Sequence, residues 1–195
     1  IEKAVHGLTA LIDDPQLGFA ALTFDFTNAF NSVNRACVLQ ALFDQNPDEL
    51  GRLWRATSWA YSDPSPLFIS GEGNRVAHML WSEEGVRQGD PLAPALFALA
   101  VKSLYARAIA GLDVKALAIL DDLDVIGPPG LLVEVHRRMS ELAPSYGLQL
   151  RADKGKLLWL HRNRELPEEV ERWANDTGTE IIRSDDTVMA LGVPI

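Results

Sequence analysis

One cysteine, Cys37, stands among 195 residues, which excludes an internal disulfide and makes an intracellular setting the simplest expectation. Nothing near Cys37 suggests an activated thiolate, so it reads as a small core residue without a chemical role. Long hydrophobic runs are also missing. The longest uncharged one, "PLAPALFALAV", ends at Lys102 and is about half of what a membrane span needs. The start carries no signal-peptide pattern, and a first residue Ile1 in place of methionine suggests a piece of a longer chain. Basic residues are few: 18 Lys/Arg against 27 Asp/Glu give a net charge of −9, which at first sight opposes a polyanionic partner. The average hides a contrast, because residues 134–164 hold seven Lys/Arg against three acids, whereas residues 165–186 hold two arginines against eight acids.

What is present is globular: 47% apolar and 23% charged residues, enough chain for one domain with a substantial core, and no repeats. Residues 2–12 read as a helix. The stretch "FAALTFDF" reads as a strand, with Ala21, Thr23 and Asp25 on one face and Leu22, Phe24 and Phe26 on the other. Helices are expected from Ser32 to Asp44, and again from Pro47 behind an Asn46 cap, with Leu50, Leu53, Trp54, Thr57 and Tyr61 as the apolar stripe. "PLFIS" and "RVAHMLW" make a strand, turn, strand unit; a Gly/Pro-punctuated loop then feeds a buried helix over residues 94–110. Residues 130–143 form an amphipathic helix with Glu134 and Arg138 outward. The segments "KLLWL" and "EIIRS" read as strands flanking a helix, "PEEVERWAND". Strands linked partly by hairpins and partly by helices predict an α+β fold, with an antiparallel or mixed sheet of the split βαβ kind and helices packed on it.

Three Asp-Asp pairs occur. Asp13-Asp14 and Asp185-Asp186 sit where ordinary polar turns belong. Asp121-Asp122 is different, because apolar, β-prone runs flank it on both sides and a two-residue hairpin connection normally wants Asn-Gly or Asp-Gly. Such a conflict between local chemistry and the surrounding fold points to function. Asp25 is a third acid at a strand end. Brought together, the three would repel one another, and divalent cations would relieve that repulsion; oxygen-only ligands favour Mg²⁺ or Mn²⁺.

Five segments, "FDFTNAFNSVNR" (24–35), "GVRQGDPLAPALF" (85–97), "ILDDLDVIG" (119–127), "GLQLRADKGK" (147–156) and "LGVPI" (191–195), resemble in order and spacing the successive palm motifs of reverse transcriptases, most of all the non-LTR retroelement and group II intron branch. The resemblance spans the chain and implies a polymerase palm of ferredoxin-like type, residues 1–195 being a partial catalytic domain whose upstream fingers and downstream thumb are absent. It implies that Asp25 and Asp121 hold two Mg²⁺ or Mn²⁺ ions with Asp122 beside them, and that Lys154 protonates the leaving pyrophosphate. It further implies that the backbone from Phe26 through Thr27 and Asn28 to Ala29 receives the triphosphate, that Phe30 excludes a ribose 2′-OH, and that Gln88 and Gly89 line the nucleotide and template side. Residues 191–195 would begin the primer grip. Ile119, Ala93 and Arg151 depart from the family's usual aromatic, serine and asparagine.

The implied activity is RNA-templated transfer of deoxynucleotides to a primer 3′-OH, with RNA template, DNA primer and dNTP as partners, no membrane, and a nuclear site of action for a eukaryotic retroelement. A different class of function stays open: a degenerate, non-catalytic remnant that binds nucleic acid or protein. An RNA polymerase or nucleotidyl cyclase on the same palm is disfavoured by Phe30.

Overall fold

The structure, a computed structural model, describes residues 18–45, 48, 50–71, 76–159, 161, 164–183, 189–190 and 193–194. The helix expected over residues 2–12, the Asn46-Pro47 helix start, and Leu191, Gly192 and Ile195 of the last motif lie outside them.

A five-stranded mixed sheet runs in the order β4 (Lys115–Ile119), β5 (Asp122–Gly127), β1 (Ala20–Phe24), β6 (Lys156–Trp159), β7 (Glu180–Arg183). All neighbours are antiparallel except β6 and β7, which the helix Glu168–Thr177 joins in parallel. The alternation expected of β1 is what positions the site. Leu22 and Phe24 join Leu123 and Val125 of β5 and Leu157 of β6 in the main core, while Thr23 turns to the opposite face, where its hydroxyl accepts from the Lys156 N–H at 3.1 Å.

The helix expected over Ser32–Asp44 is α2 (Arg35–Phe43), and a separate single turn, α1 (Ala29–Ser32), precedes it. The break falls at Val33-Asn34, where the Asn34 side chain caps α2 by accepting from the Ala36 N–H at 2.8 Å. Next, a short 3₁₀ turn at Gly51–Leu53 leads into α3 (Trp54–Tyr61); Thr57 and Tyr61 are buried, whereas Leu50 and Leu53 of the expected stripe are exposed. Strands β2 (Ser65–Ser70) and β3 (Val76–Ser82) form a separate two-stranded ribbon with Leu67, Phe68, Met79, Leu80 and Trp81 exposed. Helix α4 (Ala93–Ile109) packs against α2 and against α5 (Pro129–Leu142), which lies on β1 and β5. Glu134 and Arg138 pair outward on α5 at 2.7 Å, as the sequence spacing predicts. The last described elements are α6 (Glu168–Thr177), β8 (Met189–Ala190) and β9 (Val193–Pro194). No described helix is long and apolar enough to cross a membrane. Cys37 is half-buried rather than a core residue; its thiol, pushed up by burial, lies 3.6 Å from the Ser145 carbonyl.

His136 on α5 is buried between the rings of Phe24 (6.2 Å) and Trp173 (5.0 Å), its Nε2 without a hydrogen-bond partner among the described residues. Burial holds its pKa below the ordinary 6.5. Below about pH 6.5 the unfolded chain therefore takes up a proton that the folded chain refuses, so this stability is complete above that pH and lost as pH falls through it. Melting temperature should drop on acidification from about pH 7.5 to about pH 5.5, and the drop should be shallower in His136→Phe, which cannot titrate. Equal slopes in the two proteins would show that His136 carries none of it.

Candidate active site

The register of β1 on β5 ends with Phe24 across from Leu123, so Asp25, just past β1, and Asp122, the first residue of β5, stand at the same end of the two strands. Asp25 and Asp122 are thus brought together at one end of adjacent strands, with Asp121 immediately beside them. Their charges act on one another: Asp122 is held above the ordinary carboxylate range by burial first, then by Asp121 and Asp25.

The turn differs by one residue from the sequence expectation. Ile119 pairs with Asp122, so the two-residue loop is Leu120-Asp121, and Asp122 already belongs to β5. Leu120 carries φ 58° at the first central position, which a type II′ turn reserves for glycine. A leucine held there is strained by roughly 1–2 kcal/mol. The Tyr105 hydroxyl, from α4, donates to the Leu120 carbonyl at 3.3 Å. Asp124, also unforeseen, is buried in β5 with one carboxylate oxygen unpartnered among the described residues; burial, then Asp122, push its carboxyl up to about 6.

Lys154 closes a short 3₁₀ turn, and its Nζ lies 3.6 Å from the Asp25 carboxylate. That turn is tied to the site through the backbone, since the Arg151 N–H donates to the Asp25 carbonyl at 2.8 Å. The triphosphate cradle expected along Phe26, Thr27, Asn28 and Ala29 meets a constraint: the Thr27 N–H donates to the Gln149 carbonyl at 2.9 Å, so this donor is spent inside the fold. Asn28 takes φ 50° and accepts from the Asn31 side chain at 2.6 Å. Phe30 is half-buried and stacks on Phe97 of α4, ring centroids 4.4 Å apart.

Gln88 and Gly89 form an exposed turn, Gly89 with φ 91° and open space around its Cα. A cluster that sequence reading missed holds that turn. Tyr61 donates to the Asp90 carboxylate at 2.6 Å and accepts from the Arg87 N–H at 3.2 Å. The guanidinium groups of Arg35 and Arg87 both lie over its ring, at 5.5 and 4.9 Å. Arg35 also donates to the carbonyls of Gly85, Ser82 and Glu84 and to the Ser82 hydroxyl.

No three His, Cys, Asp or Glu side chains among the described residues form a ready metal cage. The donor chemistry still suits Mg²⁺ or Mn²⁺, because Mg²⁺ keeps several waters and is held by one or two carboxylates plus substrate phosphates, and these carboxylates repel one another.

Residues 6–195 match the family described as reverse transcriptase (RNA-dependent DNA polymerase). The retrotransposable element SLACS 132 kDa protein of Trypanosoma brucei gambiense is 29% identical over 137 residues, which is 70% of this chain and 11% of that protein. Telomerase from Candida albicans, solved with a TWJ fragment of telomeric RNA, superposes with a TM-score of 0.64 at 12% identity over 85% of this chain and 31% of its own. Apo telomerase from Candida tropicalis gives 0.63 at 12% identity over 80% and 32%. At these identities the telomerases speak for the fold, an α+β palm with a mixed sheet. The family match, running nearly end to end, carries the assignment: the chain belongs to the reverse transcriptase (RNA-dependent DNA polymerase) family.

Proposed function

We propose that this chain is the catalytic palm of an RNA-templated DNA polymerase that joins deoxynucleotides to a primer 3′-OH. The observation that carries this reading is the convergence of Asp25, at the end of β1, and Asp122, at the start of β5, with Asp121 in the adjoining turn, near enough that Asp121 and Asp25 both act on the Asp122 carboxyl. Two divalent ions bound there would activate the primer oxygen and stabilise the leaving one. Asp25 and Asp121 hold them, and Asp122 adds a third charge at their side. Lys154 would protonate the departing pyrophosphate, a role supported by its Nζ lying 3.6 Å from the Asp25 carboxylate. Gln88 and Gly89 meet the incoming nucleotide and the template from the turn braced by Tyr61. With the Thr27 N–H committed to Gln149, triphosphate charge falls to the ions and to basic side chains. Fingers and thumb segments of the full-length protein would complete the enzyme and hold the duplex, and for a eukaryotic retroelement the reaction would take place in the nucleus.

Primer extension by the full-length protein on RNA and DNA templates tests the activity. The competing reading, a non-catalytic remnant, draws on the Lys154 ammonium 3.6 Å from the Asp25 carboxylate, which could satisfy that charge without a metal. Millimolar Mn²⁺ separates the two: it should raise the melting temperature of the wild type and leave Asp25→Asn and Asp121→Asn unmoved. No shift in the wild type, with no extension on either template, would establish the remnant.

Sugar choice gives an independent check. Phe30 stacks on Phe97 five residues after Asp25, which supports reading it as the wall against a ribose 2′-OH. Truncation in Phe30→Ala should raise ribonucleotide use relative to deoxynucleotide by about 10–100-fold, the span that a hydrophobic wall controls. An unchanged ratio in an active enzyme would reduce Phe30 to a packing residue.

A further inference from the structure

Tyr105 connects the two halves of the carboxylate site. It projects from α4, is 6% exposed, and touches both strands' ends at once. Its hydroxyl donates to the Leu120 carbonyl at 3.3 Å, in the turn that carries Asp121. Its ring stacks on Phe26, the residue after Asp25, with centroids 6.4 Å apart and planes 19° from parallel.

The turn needs such a hold. Leu120 sits at φ 58°, a conformation that its own side chain disfavours and that persists only where surrounding contacts impose it. Little packing helps on one side, where a half-open surface depression of about 280 Å³, lined by Ala98, Val101, Lys102, Tyr105, Ala118 and Leu120, adjoins the turn. A loosely backed turn could relax on that side and carry Asp121 with it. The Tyr105 hydroxyl bonds the turn's backbone there.

We propose that Tyr105 is a positioning residue for the polymerase site, fixing Asp121 through the Leu120 carbonyl and Asp25 through Phe26, so that the two carboxylates keep the spacing that shared divalent ions require. Tyr105 touches neither nucleotide nor primer in this role. It acts from behind the turn, as groups that orient a metal's ligands do, and such partners are worth about 10–100-fold in metal affinity or activity. The inference rests on the polymerase reading, but its test can fail alone.

Tyr105→Phe keeps the ring on Phe26 and removes only the hydroxyl. In the full-length protein, Mn²⁺ binding is followed by electron paramagnetic resonance, and the relevant ions are those lost in Asp121→Asn. Tyr105→Phe should weaken them about tenfold, while its metal-free melt stays cooperative. In primer extension kcat should fall by about 10–100-fold with the dNTP KM within about twofold, since the nucleotide's own contacts are untouched. Restoring tyrosine in the variant should recover both. If the wild type binds Asp121-dependent Mn²⁺ and Tyr105→Phe binds it within about twofold, the positioning role is overturned and the polymerase reading stands. If the wild type has no Asp121-dependent ions, the polymerase reading falls and takes the role of Tyr105 with it.

Discussion

Asp25→Asn and Asp121→Asn should each abolish templated extension, by about 10³-fold or more, while leaving the protein folded and at least as stable as the wild type. The two halves of that expectation come from the same geometry. Asp25 follows β1 and Asp121 precedes β5, so both carboxylates stand at one end of adjacent strands, where their charges raise the carboxyl of Asp122. The Lys154 ammonium 3.6 Å from Asp25 is an exposed contact of small worth to folding. Replacing one carboxylate with the isosteric amide removes a negative charge from a repelling group and lets the Asp122 carboxyl return toward its ordinary range, which favours folding. The same replacement removes the anionic oxygen that a hard divalent cation needs. Several kcal/mol of transition-state stabilisation go with it, and each 1.36 kcal/mol is about tenfold in rate. Asp122→Asn should be milder, because Asp122 only adds charge beside the two carboxylates that would hold the ions. Single-turnover extension beside thermal melts decides the matter. Extension within about tenfold of wild type in Asp25→Asn or Asp121→Asn would remove these residues from the chemistry. Loss of activity together with a lost cooperative melt would make them structural instead.

The strand that carries Asp25 was legible because its signal is local: a period of two over "ALTF" suffices to send Leu22 and Phe24 into the core and Thr23 to the other face. The glutamate-arginine pairing on α5 was legible for the same reason, at a spacing of four. Two local signals were available and outweighed. Asn34 precedes the apolar stretch of α2 as a capping residue does, yet the pattern around Ser32 reads as continuous helix, so the break at Val33-Asn34 was overlooked. Two acids between strands look like the two loop residues, but the loop begins one residue earlier, at Leu120, whose positive φ no propensity announces. The remaining contacts are long-range. Tyr105 meets Leu120 across 15 residues, and Arg35 reaches Ser82, Glu84 and Gly85 across 47, 49 and 50. Neither periodicity nor capping rules reach that far, so what braces the site emerges only from the fold.

Arg35→Ala should be the most destabilising single change in the polar framework, costing roughly 3–5 kcal/mol of folding stability. Arg35 is 7% exposed and spends its guanidinium on three backbone carbonyls, those of Gly85 at 3.0 Å, Ser82 at 2.9 Å and Glu84 at 3.1 Å, and on the Ser82 hydroxyl at 2.7 Å. Truncation removes every one of these donors, and a buried acceptor left without a donor costs about 1–3 kcal/mol. The backbone there cannot retreat to find other partners. Gly85 has φ 70°, and a Cβ built on it would meet the Asn31 backbone at 2.4 Å; Gly147 on the other side has φ 74° and would meet the Ser32 carbonyl at 2.4 Å. The Ser32–Asn34 connection is thus gripped between two glycines, with the Gly85 N–H bonded to the Val33 carbonyl at 2.9 Å and the Asn34 N–H to the Tyr146 carbonyl at 2.8 Å. Arg35→Lys should recover less than half of the loss, since one ammonium cannot reproduce a planar fork aimed at several carbonyls. Because the same guanidinium lies over the Tyr61 ring that holds Asp90 and Arg87, the damage should reach the Gln88-Gly89 turn and raise the dNTP KM of whatever protein remains folded. A urea midpoint lower by roughly 1–3 M, at an unchanged slope, is the expected reading. A midpoint within a few tenths of wild type would mean that water replaces Arg35 at those carbonyls, and that the turn is held by Tyr61 and Asp90 without it.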